Sequence, residues 1–193
     1  MANSKLIIVE GPQGAGKTTY TDHIRNSIPY TNLYRLSGTS DSSIEGKKKS
    51  EEMYNHLLDY MEGLQNKSIN LLFDRTFFTE ENYCRLGKKD YSFTDVYEKL
   101  LDRLAKMDFD IYYITLYLKD TNEYEKRLAR EGKGVTKYSK FSIENSITQQ
   151  NLYLEMSKEI EEKYPNIHVI NIDTCRDMEE IKQELTETLK WKD

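Results

Sequence analysis

Lys5-Leu6-Ile7-Ile8-Val9-Glu10-Gly11-Pro12-Gln13-Gly14-Ala15-Gly16-Lys17-Thr18-Thr19 is the stretch from which the rest of the chain is read. Gly11 to Thr18 fit G-x-x-x-x-G-K-S/T, the phosphate-binding loop of enzymes that hydrolyse or transfer nucleotide phosphates. Leu6–Val9 is a short continuous apolar run, the signature of a strand buried on both faces. Thr18 to Ser27 can form a helix, stopped by Pro29. Strand, glycine loop and helix in this order let several backbone N–H groups converge on a phosphate at a helix N-terminus. Gly11, Gln13, Gly14, Ala15, Gly16, Lys17, Thr18 and Thr19 are therefore the expected triphosphate cradle. Within it Lys17 supplies a point charge for the β- and γ-phosphates, and the Thr18 hydroxyl a ligand for Mg²⁺. A glycine-rich turn that binds nothing would not need both flanks. The stretch implies a nucleoside triphosphate site.

The 193 residues suffice for one sizeable core, and no stretch reads as an interdomain linker, so residues 1–193 are expected to form a single domain. A net charge of -5 argues against a nucleic-acid partner. No apolar run approaches the length of a membrane span, and the N-terminus lacks the basic and apolar regions of a signal peptide. Cys84 and Cys175 lie far apart and outside any C-x-x-C spacing, as expected of reduced thiols in a cytoplasmic protein. Most of the 15 tyrosines read as half-buried packing residues.

Outward from the loop, strands and helices alternate. Strands are expected at Thr31–Leu36, Ile69–Phe73, Ile111–Leu118 and Ile167–Ile172. Helices are expected at Glu51–Gln65, Thr79–Leu86, Phe93–Met107, Asn122–Arg130, Ser142–Lys163 and Met178–Trp191. Ser37 to Ser50, with Gly38, Gly46 and the Lys47-Lys48-Lys49 run, lacks apolar periodicity and reads as a mobile loop. Strands separated by helices imply right-handed parallel crossovers. The expectation is an α/β fold: a three-layer α/β/α sandwich on a five-stranded parallel sheet. Ligands of such sheets sit at the strands' C-terminal ends, which gathers the glycine loop, Arg35, Asp74 and Arg75.

Leu71 to Tyr83 form a second motif. Asp74, at a strand end facing the loop, is placed to hold a water of the Mg²⁺ shell, and Arg75 offers a planar fork for a phosphate or a sugar hydroxyl. An Asp–Arg ion pair fixing the loop is the alternative. Phe77, Phe78 and Tyr83 are candidates to wall an acceptor, or else to fill the core.

With these residues in view the chain resembles the thymidylate kinases and, more loosely, the deoxynucleoside kinases. Ile7 to Thr19 approach the family opening E-G-x-D/E-G-A-G-K-S/T-T, and Asp74-Arg75, Thr79 and Tyr83 match D-R-Y/H-x-x-S-x-x-A-Y at four positions. Tyr34 to Thr39 only faintly resemble R-E-P-G-G-T, lacking its Glu and Pro. Leu152–Glu155 and Ile167–Asp173 follow the family's ending in order and spacing. The resemblance implies ATP and Mg²⁺ as cofactors, a nucleotide or nucleoside substrate, a tendency to dimerise, and a lid at about residues 127–141. Two arginines three apart, Arg127 and Arg130, before Gly132 and Gly134, suit a segment that closes on the triphosphate and neutralises the moving phosphate. Lys17, Asp74, Arg127 and Arg130 are thus the catalytic candidates, and Arg35, Arg75, Phe78 and Tyr83 the acceptor-binding ones. Arg35-Leu36-Ser37 stands where deoxynucleoside kinases place a Glu to activate a hydroxyl, which favours a deoxynucleoside monophosphate as acceptor over a nucleoside. A non-catalytic nucleotide switch is the remaining reading; against it, no N-K-x-D motif is present.

Overall fold

The computed structural model describes residues 3–130 and 137–192, with the backbone alone for residues 137–142. Five strands, β1 (Lys5–Glu10), β2 (Thr31–Arg35), β3 (Asn70–Asp74), β4 (Asp110–Tyr117) and β5 (Ile167–Asp173), form one parallel sheet in the order β2-β3-β1-β4-β5. The helices of the described residues are α1 (Lys17–Ser27), α2 (Ile44–Gly63), α3 (Phe77–Arg85), α4 (Thr94–Ala105), α5 (Glu123–Arg130), α6 (Lys137–Lys163) and α7 (Met178–Leu189).

The side-chain alternation of the strands divides the core into two layers. From β1, Leu6 and Ile8 point into the larger layer with Leu71, Phe73, Ile111 and Tyr113, covered by α2, α3, α4 and α6. Ile7 and Val9 point the other way, with Leu72, Tyr112, Ile114 and Leu116, under α1 and α7. A central strand apolar on both sides is what the Leu6–Val9 run anticipates, and all of β1 is buried. Because β1 lies between β3 and β4, the loop after it emerges in the crevice at the C-terminal ends of the strands.

One element corrects the sequence reading. Ser37 to Ser50 is not a loop throughout: α2 begins at Ile44 and takes in the lysine run. Lys47 reaches Asp95 at 2.9 Å and Lys49 reaches Asp41 at 2.6 Å, while Ser50 is fully buried. The turn's stabilisation is tertiary and charged, so no apolar period announces it. Gly46 is dictated by close approach: a Cβ there would lie 1.9 Å from the Asp41 carbonyl oxygen.

Candidate active site

The glycine loop is shaped by backbone that only glycine adopts without strain. Gly11 (φ 151°) lies so close to β4 that a Cβ would sit 2.6 Å from the Leu116 carbonyl oxygen. Gly16 (φ 101°) caps α1, and a Cβ would press on the Tyr20 ring at 3.1 Å. Lys17 is buried, its Nζ donating to the carbonyls of Gly11 (2.6 Å) and Pro12 (3.0 Å), which holds the ammonium beneath the loop. Ser146 Oγ donates to the Gln13 carbonyl at 3.1 Å, bracing the loop from α6.

Two cavities flank this loop, and a third adjoins the first. The first, about 400 Å³, is lined by Gln13, Gly14, Gly16, Lys17, Thr18, Thr19, Arg35, Leu36, Asp74 and Arg75, so it gathers most of the expected cradle with the end of β3. Gly11 and Ala15 are buried beneath and contribute backbone. Thr18 is exposed and Asp74 is a carboxylate on the same cavity, a donor set that fits Mg²⁺, which keeps most of its waters and takes one or two protein oxygens. Among the described residues no group of three or more His, Cys, Asp or Glu converges, as a dedicated all-protein metal cage would need.

Arg35 and Arg75 divide their roles. Arg35, opposite Asp74 in the β2–β3 register, approaches its Oδ2 at 3.5 Å and pairs with Asp22 at 2.6 Å. The ion pair that steadies Asp74 therefore comes from Arg35, not from the adjacent Arg75. Arg75 sits at φ 73°, a left-handed conformation that costs a non-glycine residue of order 1–3 kcal/mol. Its N–H donates to Val9 O at 3.2 Å, and the next N–H, of Thr76, donates to Glu10 Oε1 at 2.8 Å. Glu10, fully buried, also accepts from Thr79 Oγ1 at 2.7 Å. One carboxyl on β1 thus ties the start of α3 to the strand that launches the phosphate loop, and holds the strained turn. Burial pushes the Glu10 carboxyl up to about 7, against the hydrogen bonds from Thr79 and Thr76 and the charges of Lys17 and Arg75. Sequence reasoning assigned Glu10 no role; its signal was a charged residue ending an apolar central strand.

The second cavity, about 330 Å³, lies on the outer side of the loop between Tyr20, Arg127, Arg130 and the Thr174-Cys175-Arg176 turn. Arg127 donates to the Thr174 carbonyl (2.6 Å), to Thr174 Oγ1 (3.2 Å) and to the Gly14 carbonyl (3.3 Å). Those bonds commit it to joining the loop to the turn after β5. Arg130, on the same cavity, is exposed. The remainder of the expected lid, from residue 131 on, falls outside the residues whose side chains are described.

The third cavity, about 310 Å³, runs along α3, where Thr76, Thr79, Glu80 and Tyr83 share one face and oppose Ser37 to Ser40 and Tyr54. Leu36 and Arg75 belong to it and to the first cavity alike. Tyr83 lines it. Phe78 does not: it is 1% exposed and packed against Phe77, Tyr97 and Tyr113, so it builds the core under α3 instead of walling a ligand. Burying a phenyl ring is worth about 2–3 kcal/mol, and a face of α3 opposite Thr79 has nowhere else to go. Glu80, which sequence reasoning passed over, lines this cavity; the i, i+3, i+4, i+7 spacing from Thr76 was its trace.

No family model matches the chain, and a search of the curated proteins finds no significant match. Solved structures do match. The YorR protein of Bacillus subtilis, solved in complex with phosphorylated GDP, superposes with a TM-score of 0.66 at 21% identity, over 95% of each chain. The chain has the fold of the nucleotide kinases. Thymidylate kinase from Candida albicans shares it with a TM-score of 0.64 at 17% identity, over 98% of this chain and 92% of that one. Deoxyadenosine kinase from M. mycoides, with dCMP and dCDP bound, does so with a TM-score of 0.59 at 19% identity, over 95% and 97%. This kinase fold contains, among the described residues, no helix long and apolar enough to cross a membrane.

Proposed function

We propose that the protein transfers the terminal phosphoryl group of ATP to a deoxynucleoside monophosphate. The observation that carries this reading is the position of Arg75, shared between the cavity of the phosphate loop and the cavity along α3. A cation at that junction lies where a donor's terminal phosphate and an acceptor's phosphate must meet. Among the described residues its guanidinium has no hydrogen-bond partner or ion pair.

In the reaction an acceptor phosphate oxygen bonds to the γ-phosphorus while the bond to the β–γ bridging oxygen breaks, leaving ADP and a nucleoside diphosphate. The acceptor oxygen is already ionised near neutral pH, so no base is needed, in keeping with Leu36 where a nucleoside kinase would want a carboxylate. The protein's work is positioning and charge neutralisation. Loop N–H groups and Lys17 hold the donor phosphates, and Arg75 draws the two substrates' phosphates together. Thr18 and, through water, Asp74 would hold Mg²⁺, which supplies further charge neutralisation on the donor when bound. Arg127, spanning the loop and the Thr174 turn, suits the donor's base; Arg130, exposed on the same cavity, is the described lid arginine left to neutralise the moving phosphate.

A coupled assay with ATP and matched nucleosides and monophosphates tests this. Arg75→Ala should raise the acceptor's KM at least about tenfold, from a charged hydrogen bond worth about 1.5–3 kcal/mol, and lower kcat, with a smaller effect on the KM for ATP because the loop N–H groups and Lys17 still hold the donor. Equal effects on both substrates, or turnover of nucleosides in preference to their monophosphates, would overturn it.

A further inference from the structure

The third cavity carries more polarity than phosphate binding needs, and its deepest groups are unusual. Glu80 and Tyr54 are each 2% exposed. Glu80 Oε1 is engaged: the Tyr91 hydroxyl donates to it, and Lys89 Nζ stands 3.8 Å away. Its Oε2 and the Tyr54 hydroxyl have no hydrogen-bond partner among the described residues. Both flank Gly38, each 3.4 Å from where a Cβ on that residue would sit, and all three residues line the cavity. On two nearly buried residues, a carboxylate oxygen and a hydroxyl that face the cavity are held in place and are open to a ligand's donors and acceptors.

We propose that Glu80 and Tyr54 read the base of the acceptor, and that the base is guanine. This rests on the reading of the third cavity as the acceptor site. Glu80 lies one turn of α3 beyond Thr76, away from the Arg75 junction, which separates a base from a phosphate. A carboxylate accepts and cannot donate, so it suits an edge with adjacent donors. Guanine alone among the common bases has them, at N1–H and the N2 amino group. Thymine flanks its N3–H with two carbonyls, and adenine and cytosine set a ring-nitrogen lone pair beside the amino group. Each of these brings an acceptor against the carboxylate. Guanine O6 then accepts from the Tyr54 hydroxyl, and the positive charge of Lys88, on the same cavity, favours its carbonyl and N7 edge. Gly38 leaves open the space that any side chain would take from the base.

The test pairs binding with turnover. Affinities of GMP, dGMP, dTMP, dAMP and dCMP are measured by calorimetry in the presence of Mg-ADP, and initial rates with ATP, guanosine included as acceptor. The wild-type protein should bind the guanine nucleotides at least tenfold more tightly than the others. Glu80→Gln, which turns a donor toward guanine N–H groups, should lose that preference by tenfold or more with the KM for ATP unchanged. Tyr54→Phe, which removes one oxygen and keeps the packing, should weaken guanine binding several-fold, a check that does not depend on how well the Glu80 variant folds. Preference for dTMP, dAMP or dCMP in the wild type, or guanine preference intact in both variants, would overturn the assignment. Phosphorylation of guanosine in place of GMP would uphold the base and overturn the monophosphate reading.

Discussion

Replacing Glu10 by Gln should remove a fall in stability that the wild-type protein suffers as pH rises through neutrality. Burial lifts this carboxyl from an ordinary 4.5 to about 7. Between those values the folded protein keeps a proton that the unfolded chain has released, so folding is favoured most at low pH. The contribution is complete below pH 4.5, declines as pH rises, and is lost once pH passes about 7. At about 1.4 kcal/mol for each pH unit, the displacement sets the scale at about 3 kcal/mol. Gln reproduces the protonated shape: its oxygen accepts from Thr76 N–H and its amide donates to Thr79 Oγ1, which itself accepts from Tyr153 at 3.2 Å. Urea unfolding from pH 4.5 to 8, followed by the fluorescence of Trp191 (whose Nε1 donates to Pro29 O at 2.7 Å), gives the two curves. Their difference should be small at pH 4.5 and grow by about 3 kcal/mol in favour of the variant by pH 8. Parallel curves would show that Glu10 does not carry a proton in the folded state, and the argument from burial would fail.

Other residues give sharper single outcomes. Lys17→Ala should cut turnover by about two to three powers of ten, and because Lys17 also binds two loop carbonyls it should lower thermal stability modestly; near-normal turnover would end the kinase reading. Arg127→Ala should raise the KM for ATP about tenfold with kcat largely kept, since the side chain is tied to Gly14 and Thr174; a fall in kcat at unchanged KM would return it to the moving phosphate. Gly46→Ala should destabilise by about 1–3 kcal/mol in denaturant melts, although the same change in an open helix stabilises, because the added carbon meets the Asp41 carbonyl; a gain in stability would refute the close approach.

Much of the fold is legible in consecutive residues. The apolar run of β1, the glycines and Lys17 are local: backbone conformation and burial on both faces are written within fifteen positions, and the parallel sheet follows from the alternation of strands and helices. Asp74-Arg75 could be found at a strand end by the same logic. The start of α2 could not, since what it rests on lies outside the helix: the ion pairs Lys47–Asp95 and Lys49–Asp41, and the Asp41 carbonyl packed so close that only glycine fits at residue 46, none of which leaves a periodic trace.

What the sequence determined alone is therefore the phosphate loop, the fold class and the chemistry that a Lys and a hydroxyl beside it permit. Tertiary structure decided which arginine does what, exchanging the pairing of Asp74 from Arg75 to Arg35 and anchoring Arg127 away from the first cavity. It also turned Phe78 inward and Glu80 toward the third cavity, two positions apart on one helix. The physical reason is distance along the chain: Gly38, Tyr54 and Glu80 come from a loop and two helices, and converge only because those elements pack together on one face of the sheet.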